Sequence, residues 1–363
     1  MSTGRTHQPR ITPHYNLPAA RSSFIGREQD MFEVKRELAT TRLLTLTGAG
    51  GSGKTRLALE VSRGLIDAYP DGVWVVELAP LSEEVLVPKA VAEALGVLER
   101  PQEPLADTLV EVLGDRQTLL VVDNCEHLIG AAAGLVDRLL DSCPGVRILA
   151  TSREALGVEG EVRWLVPPLS VPEQERTPTR EELKGYESVR LFVERARERD
   201  PAFSLDLHNA AWITEICRKL EGIPLAIELA AARVGTLSIE QIAQRLGDSL
   251  ELLTHGGRTA LHRQQTLKAT LDWSYDLLSE PERVLFRRLS TFAGGWTLEA
   301  SEAVGAGGSV EEEDVLDLLS GLVEKSLVVA KGSDHGGVRY RLLEPIRQYA
   351  REKLKESGEA EAA

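Results

Sequence analysis

The 363-residue sequence predicts an α/β module built on a parallel sheet with helices on both faces, then an all-helical module, then a helical module closed by a small hairpin. Three observations predict this order. Short apolar runs alternate with helical stretches from Phe24 to about Pro168, which is the pattern of a sheet buried on both faces. Apolar residues then recur at helical spacing from about residue 186. Near the C-terminus, two β-prone runs flank the turn-rich segment KGSDHGG.

The strands of the first module are expected at Leu43–Leu46, Val73–Glu77, Leu119–Val122 and Arg147–Ala150, with a helix over Ala131–Leu140 among those between them. Residues 171–185, VPEQERTPTREELKG, are polar and carry prolines, so they read as a connector. Val189, Phe192, Val193 and Ala196 fall on one face of a helix. Ile213, Ile216 and Leu220 mark a second helix, which should stop near Gly222 and Pro224, and another is expected at Ile239–Leu246. From about 265 to 355 the pattern is three helices, a hairpin of Val328–Ala330 with Val338–Leu342, and a last helix, which suggests a winged helix. The expected division is a tail over 1–22, the α/β module over 23–170, the connector, a helical module over 186–260, a winged-helix module over 261–356 and a tail over 357–363.

Composition narrows the function classes. The chain has 42 basic against 56 acidic residues, a net charge of −14. Such a balance disfavours non-specific nucleic-acid binding. Acids outnumber bases in the winged-helix region as well, against the basic footprint of a DNA reader. Cys125, Cys143 and Cys217 lack metal-ligand spacing and are odd in number, so buried thiols in a reducing cytoplasm are expected. The polar, proline-dotted N-terminus has no apolar centre, and no apolar run approaches a membrane span.

The stretch LTLTGAGGSGKTRLALE carries the chemistry. Gly48-Ala49-Gly50-Gly51-Ser52-Gly53-Lys54-Thr55 matches G-x-x-x-x-G-K-[ST], after an apolar strand and at the start of a helix. Glycine permits the backbone to curl around phosphate oxygens with no side chain in the way. Loop N–H groups and the helix N-terminus then face the anion. Lys54 should reach the β- and γ-phosphates, Thr55 should bind Mg²⁺ through its hydroxyl, and Arg56 next along the helix joins the same nucleotide-binding set. In LLVVDNCEH, four apolar residues deliver Asp123 to the end of a neighbouring strand, where a carboxylate serves Mg²⁺. The next position is Asn124, a poor base. Glu126 either orients the attacking water or caps the following helix. In RILATSRE, Thr151, Ser152 and Arg153 reach the same sheet edge. Arg153 there either senses a γ-phosphate or forms a surface salt bridge.

FIGREQD at 24–30, the phosphate loop at 48–55, LLVVDNCEH at 119–127, ATSRE at 150–154 and LEGIPLAIELAAARV at 220–234 occur in one order. Together they resemble the NB-ARC type of STAND ATPases. The later LDWSYDLLSEPERVLFRRLSTFAGGW and YRLLEPIRQYA are most similar to bacterial members found in transcriptional regulators. The resemblance implies that Ile25, Gly26 and Arg27 border the adenine, mainly through backbone, where the plain alternative is an entry turn to the first helix. It implies that Pro224 packs on the base or sugar, where the alternative is a simple helix break. One departure is clear. At the position of the family's Met-His-Asp triplet this chain has Leu342, Leu343 and Glu344, and leucine cannot donate to a phosphate; His335 in the turn is either a substitute or a solvent-exposed turn residue, the second being the plainer reading.

The function expected is an ATP/ADP-binding switch with Mg²⁺, slow hydrolysis and self-association in the ATP form. Effector and sensor partners are not recognisable in the sequence. The alternatives are a continuously turning-over ATPase and a winged-helix transcription factor that binds DNA directly.

Overall fold

A computed structural model describes residues 15–20, 22–173, 179–246, 267–332 and 337–359. The first part is an α/β layer structure. Its elements are α1 (Glu28–Thr40), β1 (Leu43–Thr47), α2 (Lys54–Arg63), β2 (Val73–Glu77), α3 (Val87–Leu95), α4 (Leu105–Leu113), β3 (Thr118–Asp123), α5 (Ile129–Ser142), β4 (Val146–Thr151) and β5 (Glu161–Leu165). The five strands pair in parallel in the order β2-β3-β4-β1-β5. Every residue of β1 and β3 is buried, because separate apolar clusters cover the two faces of the sheet. The four expected strands are present, each within a residue or two of its expected ends. The fifth, β5, is an edge strand in which Val162 and Trp164 pack inward while Arg163 and Leu165 are exposed.

The helical part comprises α6 (Arg180–Leu183), α7 (Glu187–Arg197), α8 (Ala210–Lys219), α9 (Pro224–Ala231) and α10 (Ile239–Arg245). α6 lies inside the stretch read as a connector. Between α8 and α9, Glu221 and Gly222 both take positive φ, at 45° and 70°. Pro224 then opens α9 at its first turn, where its missing N–H costs no bond. The turn is pinned to the sheet module: Leu169 N–H donates to Gly222 O at 2.9 Å.

The C-terminal part contains α11 (Leu267–Asp276), α12 (Glu280–Leu289), α13 (Leu298–Gly305), α14 (Val315–Glu324), the antiparallel hairpin β6 (Val329–Gly332) and β7 (Val338–Arg341), and α15 (Glu344–Glu356). This is a winged helix-turn-helix arrangement, with α12 opened by a capping box between Ser279 and Glu282. One continuous apolar core runs from Leu169 to Ala350 and joins the helical and C-terminal parts. His335 lies outside the described residues. Leu342 and Leu343 are buried in this core, and Glu344 begins α15, paired with Arg347 at 2.7 Å.

Gly222 and Gly134 offer a paired test of this packing. A Cβ on Gly222 would lie 2.0 Å from the Leu169 carbonyl oxygen, whereas one on Gly134, an exposed position of α5, meets nothing within 4 Å. Gly222→Ala is therefore expected to lower unfolding stability by more than about 1 kcal/mol. Gly134→Ala is expected to raise it by about 0.5–1 kcal/mol. Denaturant midpoints decide; equal effects at the two positions would contradict this backbone geometry.

Candidate functional site

The carboxyl ends of β1, β3 and β4 lie side by side, and the crevice outside them is where ligands bind in open parallel sheets. A cavity of about 360 Å³ opens there. Among the stretches that line it are the loop after β1, with Gly50, Gly51, Gly53, Lys54 and Thr55; the start of α9, with Pro224 and Leu225; and α11, with Thr270 and Trp273.

The loop has the backbone its composition requires. Gly48, Gly51 and Gly53 adopt φ of 147°, 79° and 93°, values that would strain any residue with a Cβ. Space is equally tight. A Cβ on Gly50 would sit 2.5 Å from Thr270 Cγ2, and one on Gly51 would sit 2.9 Å from Leu225 Cβ. Lys54 Nζ donates to Gly48 O at 2.6 Å and Ala49 O at 3.1 Å. Burial pulls its ammonium down to about 8; Arg153 adds to that shift, and Glu126 and Asp123 oppose it.

Asp123 ends β3 and accepts two hydroxyls on one oxygen, from Thr55 at 2.7 Å and Thr151 at 2.6 Å. Burial raises its carboxyl above the usual range, and the two hydroxyl bonds hold it back. A hydroxyl beside a carboxylate is a donor set suited to a small hard cation that takes its other ligands from phosphate and water. Among the described residues no cluster of three or more His, Cys, Asp or Glu could cage a metal. The residues present therefore fit Mg²⁺ arriving with a phosphate ligand. They fit the phosphate as well, since the loop places glycine backbone and an ammonium at a helix N-terminus.

Arg153 and Glu126 form a buried ion pair, Nε to Oε1 at 3.2 Å. Glu126 Oε2 is buried with no hydrogen-bond partner among the described residues. Glu126 sits in a 3₁₀ turn before α5 and makes no cap to that helix. Arg153 also contacts the C-terminal part: its Nη2 donates to Thr270 O at 3.4 Å, and its carbonyl accepts from Ser326 Oγ at 3.0 Å.

The remaining expected residues divide between wall and frame. Ile25 and Arg27 line the crevice. The Arg27 guanidinium turns away to bind Ser52 O at 2.7 Å and Pro167 O at 2.9 Å. Its N–H donates to Glu187 Oε1 at 2.5 Å, and Gly26, at φ 72°, has no room for a Cβ against the same glutamate. Ser52 is buried within the loop. Pro224 Cγ lies 3.8 Å from the position a Gly53 Cβ would take, and Leu225 N–H donates to Gly51 O at 3.2 Å. Arg56 pairs with Glu228 at 2.9 Å. Sequence reasoning did not single out Glu187, Glu228, Thr270 or Trp273. Glu228 had a signal, as the lone charge in the apolar run of PLAIELAAA.

Lys54 supplies a titration test. Its value is about 8 in the fold against 10.5 for an ordinary lysine. A base with a lowered folded-state value burdens the native state while it is charged, and that burden lifts as pH rises from about 8 toward 10.5. Wild type is therefore expected to gain melting temperature relative to Lys54→Met over that window. A difference that stays constant with pH would contradict the burial of the ammonium.

Comparison with known proteins accords with this geometry. Residues 36–158 match an AAA domain, and residues 278–355 match a winged helix-turn-helix domain. The chain is 48% identical over 324 residues to Rv0890c of Mycobacterium tuberculosis H37Rv, named as an HTH-type transcriptional regulator. The match covers 89% of this chain but only 35% of that regulator, so the chain spans about a third of its length. It is 43% identical over 342 residues to the uncharacterized protein Rv0894 of the same organism, covering 94% of this chain and 84% of that one. Among solved structures, a Walker-type ATPase of Pyrococcus abyssi shares the fold, with a TM-score of 0.59 at 15% identity, over 90% of this chain and 95% of that one. The chain belongs to the same family as Rv0894, and it joins an AAA-type P-loop ATPase domain to a winged helix-turn-helix domain.

Proposed function

We propose that the chain is a nucleotide-controlled switch of the NB-ARC type of STAND ATPases. ATP or ADP, bound with Mg²⁺ in the crevice, sets the arrangement of a nucleotide-binding module (23–170), a helical module (186–260) and a winged-helix module (261–356). The observation that carries this reading is the make-up of the crevice wall, to which the glycine loop, the start of α9 and the middle of α11 each contribute. A ligand there touches all three modules. It shifts their arrangement by its difference in affinity for two arrangements.

Lys54 and the loop N–H groups hold the phosphates, Thr55 and Asp123 hold Mg²⁺, and Arg153 is placed to sense a third phosphate. Bound Mg²⁺ supplies charge neutralisation at the phosphate oxygens. Slow hydrolysis is expected for two reasons. Asn124 follows Asp123 where a base would serve, and the nearest carboxylate, Glu126, is tied to Arg153. The ATP form is read as the one that self-associates, in the cytoplasm, under effector and sensor partners still to be identified.

A second reading, direct DNA binding, is favoured by the winged helix-turn-helix match and the name of the regulator relative. Against it, α14 carries Asp317 and Glu324 and no lysine or arginine, and Glu311, Glu312, Glu313 and Asp314 precede it, all exposed. DNA backbone contacts rest on basic side chains, so the switch reading is preferred.

The test is to denature the purified protein and identify any nucleotide released, alongside Lys54→Ala. ADP retained by wild type and lost from Lys54→Ala, with an unchanged circular dichroism spectrum, is the expected result. Equal nucleotide affinity in the two proteins would contradict the assignment of the loop.

A further inference from the structure

Glu228 faces the crevice from α9, one helical turn after Pro224, and the reading above gives it no task. Its Oε1 accepts from two guanidinium groups, Arg56 Nη1 at 2.9 Å and Arg195 Nε at 3.0 Å. Both arginines are anchored in turn, since each donates through Nη2 to Ser23 O, at 2.8 Å and 2.7 Å. The carboxylate is thus fixed at the crevice wall by charge-assisted bonds. Among the described residues its Oε2 makes no hydrogen bond, and the side chain is 29% exposed. A carboxylate oxygen of this kind accepts and does not donate. Its complement in a ligand is a hydroxyl or an amino group.

Position selects between them. Arg56 directly follows Thr55 on the first turn of α2, the turn whose N–H groups face the phosphates. Glu228 therefore lies one guanidinium away from the phosphate end. The apolar wall of Phe24, Ile25, Leu169 and Leu191 remains for the flat face of a base. The part of a nucleotide that lies between phosphate and base is the ribose, and the donors on it are its 2′ and 3′ hydroxyls. Carboxylates read ribose hydroxyls in this way in dinucleotide-binding folds.

We infer that Glu228 accepts a hydrogen bond from a ribose hydroxyl and makes the crevice discriminate ribonucleotides from their deoxy analogues. This rests on the crevice being a nucleotide site. The test is calorimetric titration of wild type, Glu228→Ala and the nearly isosteric Glu228→Gln with ADP, 2′-deoxy-ADP, 3′-deoxy-ADP and inosine diphosphate. Wild type is expected to bind at least one deoxy analogue roughly tenfold more weakly than ADP, the scale of one hydrogen bond to a charged group. In Glu228→Ala that ratio should fall toward one, while Glu228→Gln, whose neutral amide still bonds a hydroxyl, should keep a smaller ratio than wild type. The wild-type ratio stands even where Glu228→Ala fails to fold. Equal affinity of wild type for ADP and both deoxy analogues overturns the inference while leaving the nucleotide site intact. A ratio that persists in Glu228→Ala overturns it too, as does a loss confined to inosine diphosphate, which points to the base amino group. Failure of wild type to bind ADP at all overturns the nucleotide site itself, and this inference with it.

Discussion

Residues 50–52 of the glycine loop touch three other parts of the chain at once. The carbonyl of Gly51 accepts from Leu225 at the start of α9, the carbonyl of Ser52 accepts from the buried Arg27, and Gly50 lies so close to Thr270 of α11 that no Cβ fits between them. A loop without side chains is what allows this crowding. Ser52 N–H closes the loop on Ala49 O at 3.1 Å, while the carbonyls of Gly51 and Ser52 are the groups that hold the surrounding modules. On the proposed nucleotide reading, the same residues serve as a phosphate cradle and a junction.

On the switch reading, the junction is where chemistry becomes arrangement. Moving a population from 1:99 to 99:1 needs about 5.5 kcal/mol of difference in binding. Separating a buried ion pair such as Arg153–Glu126 costs about 3–5 kcal/mol when nothing replaces the lost partner. A ligand anion that takes over Arg153 works on this scale. Arg153 also bonds Thr270 and Ser326 of the C-terminal part, so a change in its partner is felt beyond the sheet module.

Much of this was legible in the sequence where a local rule decides the outcome. Residues 48–55 combine a motif with its strand-loop-helix context, and the continuous apolar run 119–122 marks a buried parallel strand. β5 escaped because its inward residues, Val162 and Trp164, alternate with Glu161 and Arg163, so the short apolar run Trp164–Val166 marks only its end. The placement of Thr270, Glu187 and Glu228 depends on contacts between residues more than 100 positions apart, such as Glu187 with Gly26 and Thr270 with Gly50. No periodicity encodes such contacts. The sequence leaves Glu126 either orienting the attacking water or capping the next helix; that helix has no side-chain cap, and the carboxylate pairs instead with Arg153, a contact 27 positions away that no local pattern encodes.

The central claim is that the ligand in this crevice dictates how the modules lie. Small-angle scattering of the nucleotide-free protein, the ADP complex and the complex with a non-hydrolysable ATP analogue, each at saturating occupancy, tests it most directly. The account expects a compact ADP form and an ATP-analogue form of larger radius of gyration. Superimposable profiles for the three samples would contradict it.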